Sequence, residues 1–233
     1  MNPLTVFALI ATMRDPSRTV AQRNDGCYAL RGLSAPPIVR VMRNTLQDPA
    51  VRSCAGINLR IAGAIPELKD ALADPDPQVR ALAARQLGAF EKPELLPMLA
   101  EAAQDQQLLV AVNAVEAIAG YRDIAAVPYL LEIAKLGGIA GNAALNQALE
   151  FRDPRVPVVA RDLLNRPDIS DKLAGIRALA QMGDAGDLPK LREFARAEMP
   201  AVAAQNRGFG LMPPISISKA AQTAIEAIEN HQR

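Results

Sequence analysis

Asp74-Pro75-Asp76-Pro77-Gln78-Val79-Arg80-Ala81-Leu82-Ala83-Ala84-Arg85-Gln86-Leu87-Gly88-Ala89-Phe90 sets a pattern that the rest of the chain repeats. It reads as a turn, a cap and an amphipathic helix. Asp76 is placed to accept bonds from the free N–H groups of the first turn. Pro77 fits the first helical position, where no N–H is needed. Val79, Leu82, Ala83, Gln86, Leu87 and Phe90 then share one helical face, apolar except for Gln86.

Outward from this stretch, one proline marker recurs as Pro37, Pro66, Pro97, Pro128, Pro157 and Pro189, at intervals of 29 to 32 residues. Two residues after each stands Val39, Leu68, Leu99, Leu130, Val159 or Leu191. Pro3 is a looser earlier member. Each proline is expected in the first turn of a short helix, here called an A helix. A second helix, B, follows each A helix, with aligned apolar positions Leu30, Leu59, Leu87, Ile118, Leu149 and Leu179. Four residues earlier stand Gly26, Ala55, Ala83, Ala114, Leu145 and Gly175, small except for Leu145, which lets helices approach closely.

The chain divides into about seven helix pairs: 3–33, 36–63, 65–91, 93–121, 123–152, 154–183 and 185–230. Asp15-Pro16, Asp48-Pro49 and Asp76-Pro77 read as B-helix openings, and Asp153-Pro154 as an A-helix opening. Gly63, Gly88, Gly120 and Gly183 are expected to stop B helices in the left-handed conformation. No linker divides the array, so residues 1–233 read as a single domain. One pair cannot bury its apolar face alone, and stacking makes one core.

Composition bounds the partners. Half the residues are apolar, yet aromatics are 3% and Trp is absent, which suits closely packed helices. A formal net charge of +1 gives no reason to propose nucleic acid or an anionic membrane. No apolar run reaches the ~18 residues of a membrane span. Leu4 to Ala11 reads as an N-terminal helix without the basic leader of a signal peptide. Its apolar surface marks a self-association face or an uncapped end. Two cysteines make no disulfide framework and fit a reducing compartment, so the expectation is a soluble, cytoplasmic protein; an exported protein lacking its leader is the other reading. Cys27 and Cys54 fall on adjacent B helices. A disulfide needs Cα atoms within about 6.8 Å, less than helix-to-helix spacing, so buried free thiols are expected.

Asp76-Pro77-Gln78-Val79-Arg80-Ala81-Leu82-Ala83-Ala84 resembles the short HEAT-like repeat of the type seen in phycobilisome lyases. Asp48-Pro49-Ala50-Val51-Arg52 is a second good copy, and Ala126-Val127-Pro128-Tyr129-Leu130-Leu131 resembles the start of that repeat's first helix. The resemblance implies an all-α fold, an α-α superhelix (α-solenoid) of about seven pairs, with B helices on the concave side. It does not imply one function: the armadillo-like and HEAT-like group includes protein-binding scaffolds, bilin lyase subunits, a DNA glycosylase type and deoxyhypusine hydroxylase.

The residues argue against most of that chemistry. His231 is the only histidine, so the His-Glu pairs that would hold a hydroxylase's iron are absent. Cys27 and Cys54 alone do not make a zinc site. Gly137-Gly138-Ile139-Ala140-Gly141-Asn142 is glycine-rich but lacks the Lys-Ser/Thr of a phosphate loop, and reads as a long turn. Arg23, Arg52 and Arg80 align, and are expected to form a ladder of bonds to neighbouring turn aspartates such as Asp48 and Asp76. Asn113, Asn142 and Asn146 are expected to bond inter-repeat loops.

The remaining surface is the outer stripe of the B helices: Tyr28, Ile57, Arg85, Glu116, Gln147 and Arg177, with Arg31 and Arg60 one turn on. It leans basic in its N-terminal half and suits an acidic or amphipathic peptide. Glu198 to Pro214 departs from the period. Phe209, Leu211 and Met212 there either cap the last pair or contact a partner or a second copy. The expected function is a non-enzymatic protein-interaction scaffold without cofactor or metal, binding a protein or peptide through Tyr28, Ile57, Arg60, Arg85, Glu116, Gln147, Arg177 and Phe209. The alternatives are a bilin lyase or isomerase-like subunit and a DNA-binding protein.

Overall fold

The computed structural model describes residues 1–197 and 216–231. Among these residues every regular element is helical, and no helix is long and apolar enough to cross a membrane. The helices fall into two compact units, Met1–Tyr121 and Arg122–Arg233. The architecture is an all-α helical repeat of the solenoid class.

The first unit holds four pairs: α1 (Pro3–Arg14) with α2 (Val20–Tyr28), α3 (Pro36–Thr45) with α4 (Arg52–Ile61), α5 (Ile65–Ala71) with α6 (Pro77–Gly88), and α7 (Leu96–Ala102) with α8 (Leu108–Ala119). The B helices α2, α4, α6 and α8 stack in order, and α3 packs on α5 in the A layer. The second unit holds α9 (Val127–Ala134) with α10 (Gly138–Glu150), α11 (Val156–Leu164) with α12 (Ile169–Met182), and α13 (Leu188–Arg196) with α14 (Ile217–His231). There α10, α12 and α14 stack as B helices, and α9 packs on α11.

Every proline marker stands at the first or second position of its A helix. The residue two places on is buried each time, from Val39 to Leu191. Asp76 caps α6, its carboxylate accepting from the Gln78 N–H at 2.8 Å. The face read from 74–90 is the core face: Val79, Leu82, Ala83, Gln86 and Leu87 are buried, and Phe90 is half-buried. Truncating Leu87 there would cost about 2–5 kcal/mol.

Four local expectations need correction. First, Asp15-Pro16 and Asp48-Pro49 form turns but do not cap. Helix α2 is capped by Thr19 in a reciprocal box with Gln22, and α4 begins after Val51. Second, the glycine stops are mostly misplaced. Only Gly63 is left-handed (φ 70°); Gly120 and Gly183 have negative φ. Gly88 is helical and lies against Ala117 of α8 so closely that a Cβ would collide with it. The left-handed residue of later B-to-A turns is instead Glu91 (φ 51°), Arg122 (φ 49°) and Arg152 (φ 50°).

Third, Gly138 to Asn142 are helical, not turn; α10 begins at Gly138. Fourth, Cys27 and Cys54 are bonded to each other, with Cα atoms 6.3 Å apart. A Cα separation is not the separation of the helix axes. Helix axes ~8–10 Å apart carry Cα atoms on cylinders of ~2.3 Å radius, so residues that face each other sit several ångströms closer than the axes.

A non-glycine residue in the left-handed region costs ~1–2 kcal/mol, partly offset by glycine's extra freedom in the unfolded chain. Glu91→Gly and Arg152→Gly should therefore each stabilise the protein by about 0.5–1 kcal/mol. Denaturant midpoints test this: both should rise, and a fall at either position would show that the side chain there is needed.

Candidate functional site

The aligned arginines are structural. In the first unit each ties the end of its own A helix to the turn of the next pair. The Arg23 guanidinium donates to the Met13 carbonyl at 2.9 Å and pairs with Asp48. Arg52 donates to Leu46 O at 2.7 Å and to Asp76 at 2.6 Å. Arg80 donates to Asp74 O at 2.7 Å and to both Asp105 oxygens at 2.7 and 3.0 Å. Each aspartate also accepts a backbone N–H two residues on, from Ala50, Gln78 and Gln107. The expected ladder is therefore present. It stops at Ala111, which holds the same position in α8.

In the second unit Asp171 plays a related part. Its Oδ1 accepts from the Gly138 N–H at 2.7 Å and from the Asn142 amide at 3.1 Å. Gly137 has φ 71°, and a side chain there would run into Asp171 and Arg166. Asn142 thus braces α10 against α12, close to the expected loop contact. Asn113 does not: its amide donates to Leu109 O in its own helix at 2.8 Å. Asn146 is exposed.

The outer stripe resolves into separate groups. Tyr28 is exposed, with the Arg31 guanidinium 5.4 Å from its ring centroid. Ile57 and Arg60 are half-buried, and Arg60 donates to buried Gln86 at 3.1 Å. Arg85 and Glu116 are exposed on α6 and α8. In the second unit Gln147 is half-buried and Arg177 exposed. Phe209 lies outside the described residues, as does the whole 198–214 segment.

One site on this face is built rather than merely exposed. Arg52, Ser53, Gln78, Ala81, Leu82, Arg85, Leu109 and Asn113 line a hollow of about 140 Å³ across α4, α6 and α8. No carboxylate lines it. Arg52 is committed to Asp76, while Arg85 takes part in none of the ion pairs among the first unit's described residues. Leu109 is 41% exposed at its edge. Arg85 is legible in the sequence, whereas Ser53, Gln78 and Leu109 are not, because they belong to three different helices and converge only when these pack.

The geometry defines a helical-repeat protein with a small cationic hollow on its B-helix face. A family model described as HEAT repeats matches residues 65–138, and the described residues outside that stretch continue the same succession of paired helices. No curated protein matches it in sequence. Among solved structures, a chain of the Kap95p complex with RanGDP is 13% identical, with a TM-score of 0.53. That match covers 97% of this chain but only 34% of the other. Human deoxyhypusine hydroxylase in complex with glycerol is 18% identical over 97% of this chain and 96% of that one, with a TM-score of 0.40. A designed armadillo repeat protein is 14% identical over 95% and 98%, with a TM-score of 0.39. At these identities the likeness concerns fold alone.

The Arg80 bonds hold the Asp105 carboxyl below its ordinary value near 3.8. A carboxyl so depressed contributes stability that is fully present above its unfolded value and lost as pH falls through the folded one. Asp105→Asn should cost about 2 kcal/mol at neutral pH, with the cost shrinking as pH is lowered from about 4. Urea unfolding of both proteins at pH 7 and pH 3 checks this; a cost independent of pH would contradict the ion pair.

Proposed function

We propose that this chain is a non-enzymatic scaffold that binds a protein partner through the B-helix face of its first unit. The observation that carries the reading is the hollow at Arg85: an uncommitted guanidinium beside amide and hydroxyl groups, with apolar Leu82 and Leu109, and no acid in the lining. A fork of N–H donors in such a setting suits a carboxylate bidentately. Arg31 and Arg60 add positive charge along the same row of helices. The partner is therefore an acidic segment with an apolar neighbour to cover Leu109. That Kap95p, a similar fold, binds RanGDP supports a protein as the kind of ligand.

The sulfur chemistry bears on the compartment. A disulfide between Cys27 and Cys54 belongs with an oxidising environment, which runs against the cytoplasmic expectation.

Arg85→Glu should leave the thermal transition within a degree or two of wild type, since Arg85 is exposed and supports no neighbour. Partners retained by immobilised wild-type protein should be lost from the variant by about tenfold or more, and should elute with salt. Equal retention by both proteins would remove the Arg85 hollow from the account.

A further inference from the structure

The first helix pair is fastened to its neighbour differently from the pairs that follow. Between residues 1 and 33 the buried side chains are Met13, Arg23, Cys27 and Leu30. By contrast, α6 alone buries Val79, Ala81, Leu82, Ala83, Ala84, Gln86 and Leu87. The first pair meets the rest of its unit chiefly through α2 against α4. That junction includes the Cys27–Cys54 bond, the Arg23–Asp48 pair, and two amide bonds: Asn24 to Ala50 O at 2.9 Å and Asn58 to Cys27 O at 2.8 Å. Among the apolar side chains of the first pair and α4, Met13, Leu30 and Leu59 are fully buried.

In a repeat protein a pair stays docked only while its contacts with its neighbours outweigh its tendency to open. Here a covalent bond crosses the contact between α2 and α4. We infer that the Cys27–Cys54 bond is a redox latch: reduction lets the α1–α2 pair undock from α4 while α3–α8 stay folded. A dithiol supplies two electrons and two protons, leaving as a cyclic disulfide while Cys27 and Cys54 become thiols. Both cysteines are fully buried, so the dithiol reaches the bond through transient local openings of the helices around it.

The α4 side of the contact suits both states. Asn58 is 3% exposed, and its Oδ1 has no hydrogen-bond partner with the bond intact. Its amide nitrogen is 3.6 Å from Cys27 Sγ and 3.8 Å from Cys54 Sγ. Asn58 lies one helical turn from Cys54, and a thiol sulfur formed by reduction remains a weak acceptor beside that amide nitrogen. The opened latch uncovers Cys54, Asn58 and Leu59 on α4, and carries Tyr28 and Arg31 away from the B-helix face.

Hydrogen exchange read by mass spectrometry on the full chain, with and without dithiothreitol, tests the latch. Reduction should speed exchange in α1 and α2 on the order of a hundredfold and leave peptides of α6 and α8 unchanged. Cys27→Ser without reductant should reproduce the reduced pattern, and reductant should then add nothing. Three results would overturn the latch: two free thiols in the non-reduced protein, unchanged exchange in 3–28 after confirmed reduction, or loss of protection spread over α3–α8 as well.

Discussion

Each helix pair in this chain leaves one apolar face that only the next pair can cover. Everything else follows from that constraint. A pair of this size buries too little surface to be stable alone, so stability is a sum over interfaces. The interfaces require B helices that approach closely, which explains the alanines at their contact positions and the Gly88–Ala117 approach. They also require A helices that start on time, and the prolines at their first turns do that at little cost.

Close packing of small apolar residues sets distance but not register, because one alanine face slides easily on another. The arginine brackets supply register in the first unit. Arg52 and Arg80 each hold a carbonyl at the end of their own A helix and a carboxylate in the next turn, so one side chain fixes both relative positions. Arg23 does the same at the first junction, where the disulfide is added. Between residues 1 and 33 few side chains are buried, and the covalent bond joins the first pair to α4. Arg85, five residues after Arg80, belongs to the opposite face and to no bracket, which leaves its charge available to a ligand.

Much of this was legible in the sequence because repetition averages out local ambiguity. One Asp-Pro is a weak signal, but six prolines at a fixed interval each mark a helix start, and all proved to do so. Pair boundaries read from the chain agree with the helices to within a few residues. What failed was information a residue does not carry by itself. Nothing in the side chains of Glu91, Arg122 or Arg152 demands a left-handed backbone; the turn geometry imposes it. Two cysteines 27 residues apart look unpaired until the helices that bear them are seen to face each other. Arg85 was legible as a cation on the B-helix face, but its companions Ser53, Gln78 and Leu109 come from three helices whose relative rotation only the fold fixes.

The central claim is that the B-helix face of the first unit receives an acidic segment at Arg85. The most direct measurement is NMR of the arginine Nε–Hε groups and leucine methyls during titration with a short polyglutamate peptide carrying one leucine. The account predicts shifts centred on Arg85 and Leu109, with Arg80 unmoved because Asp105 already holds it. Shifts confined to the A-helix side, around Arg40 and Lys69, or no saturable shift at low salt, would contradict it.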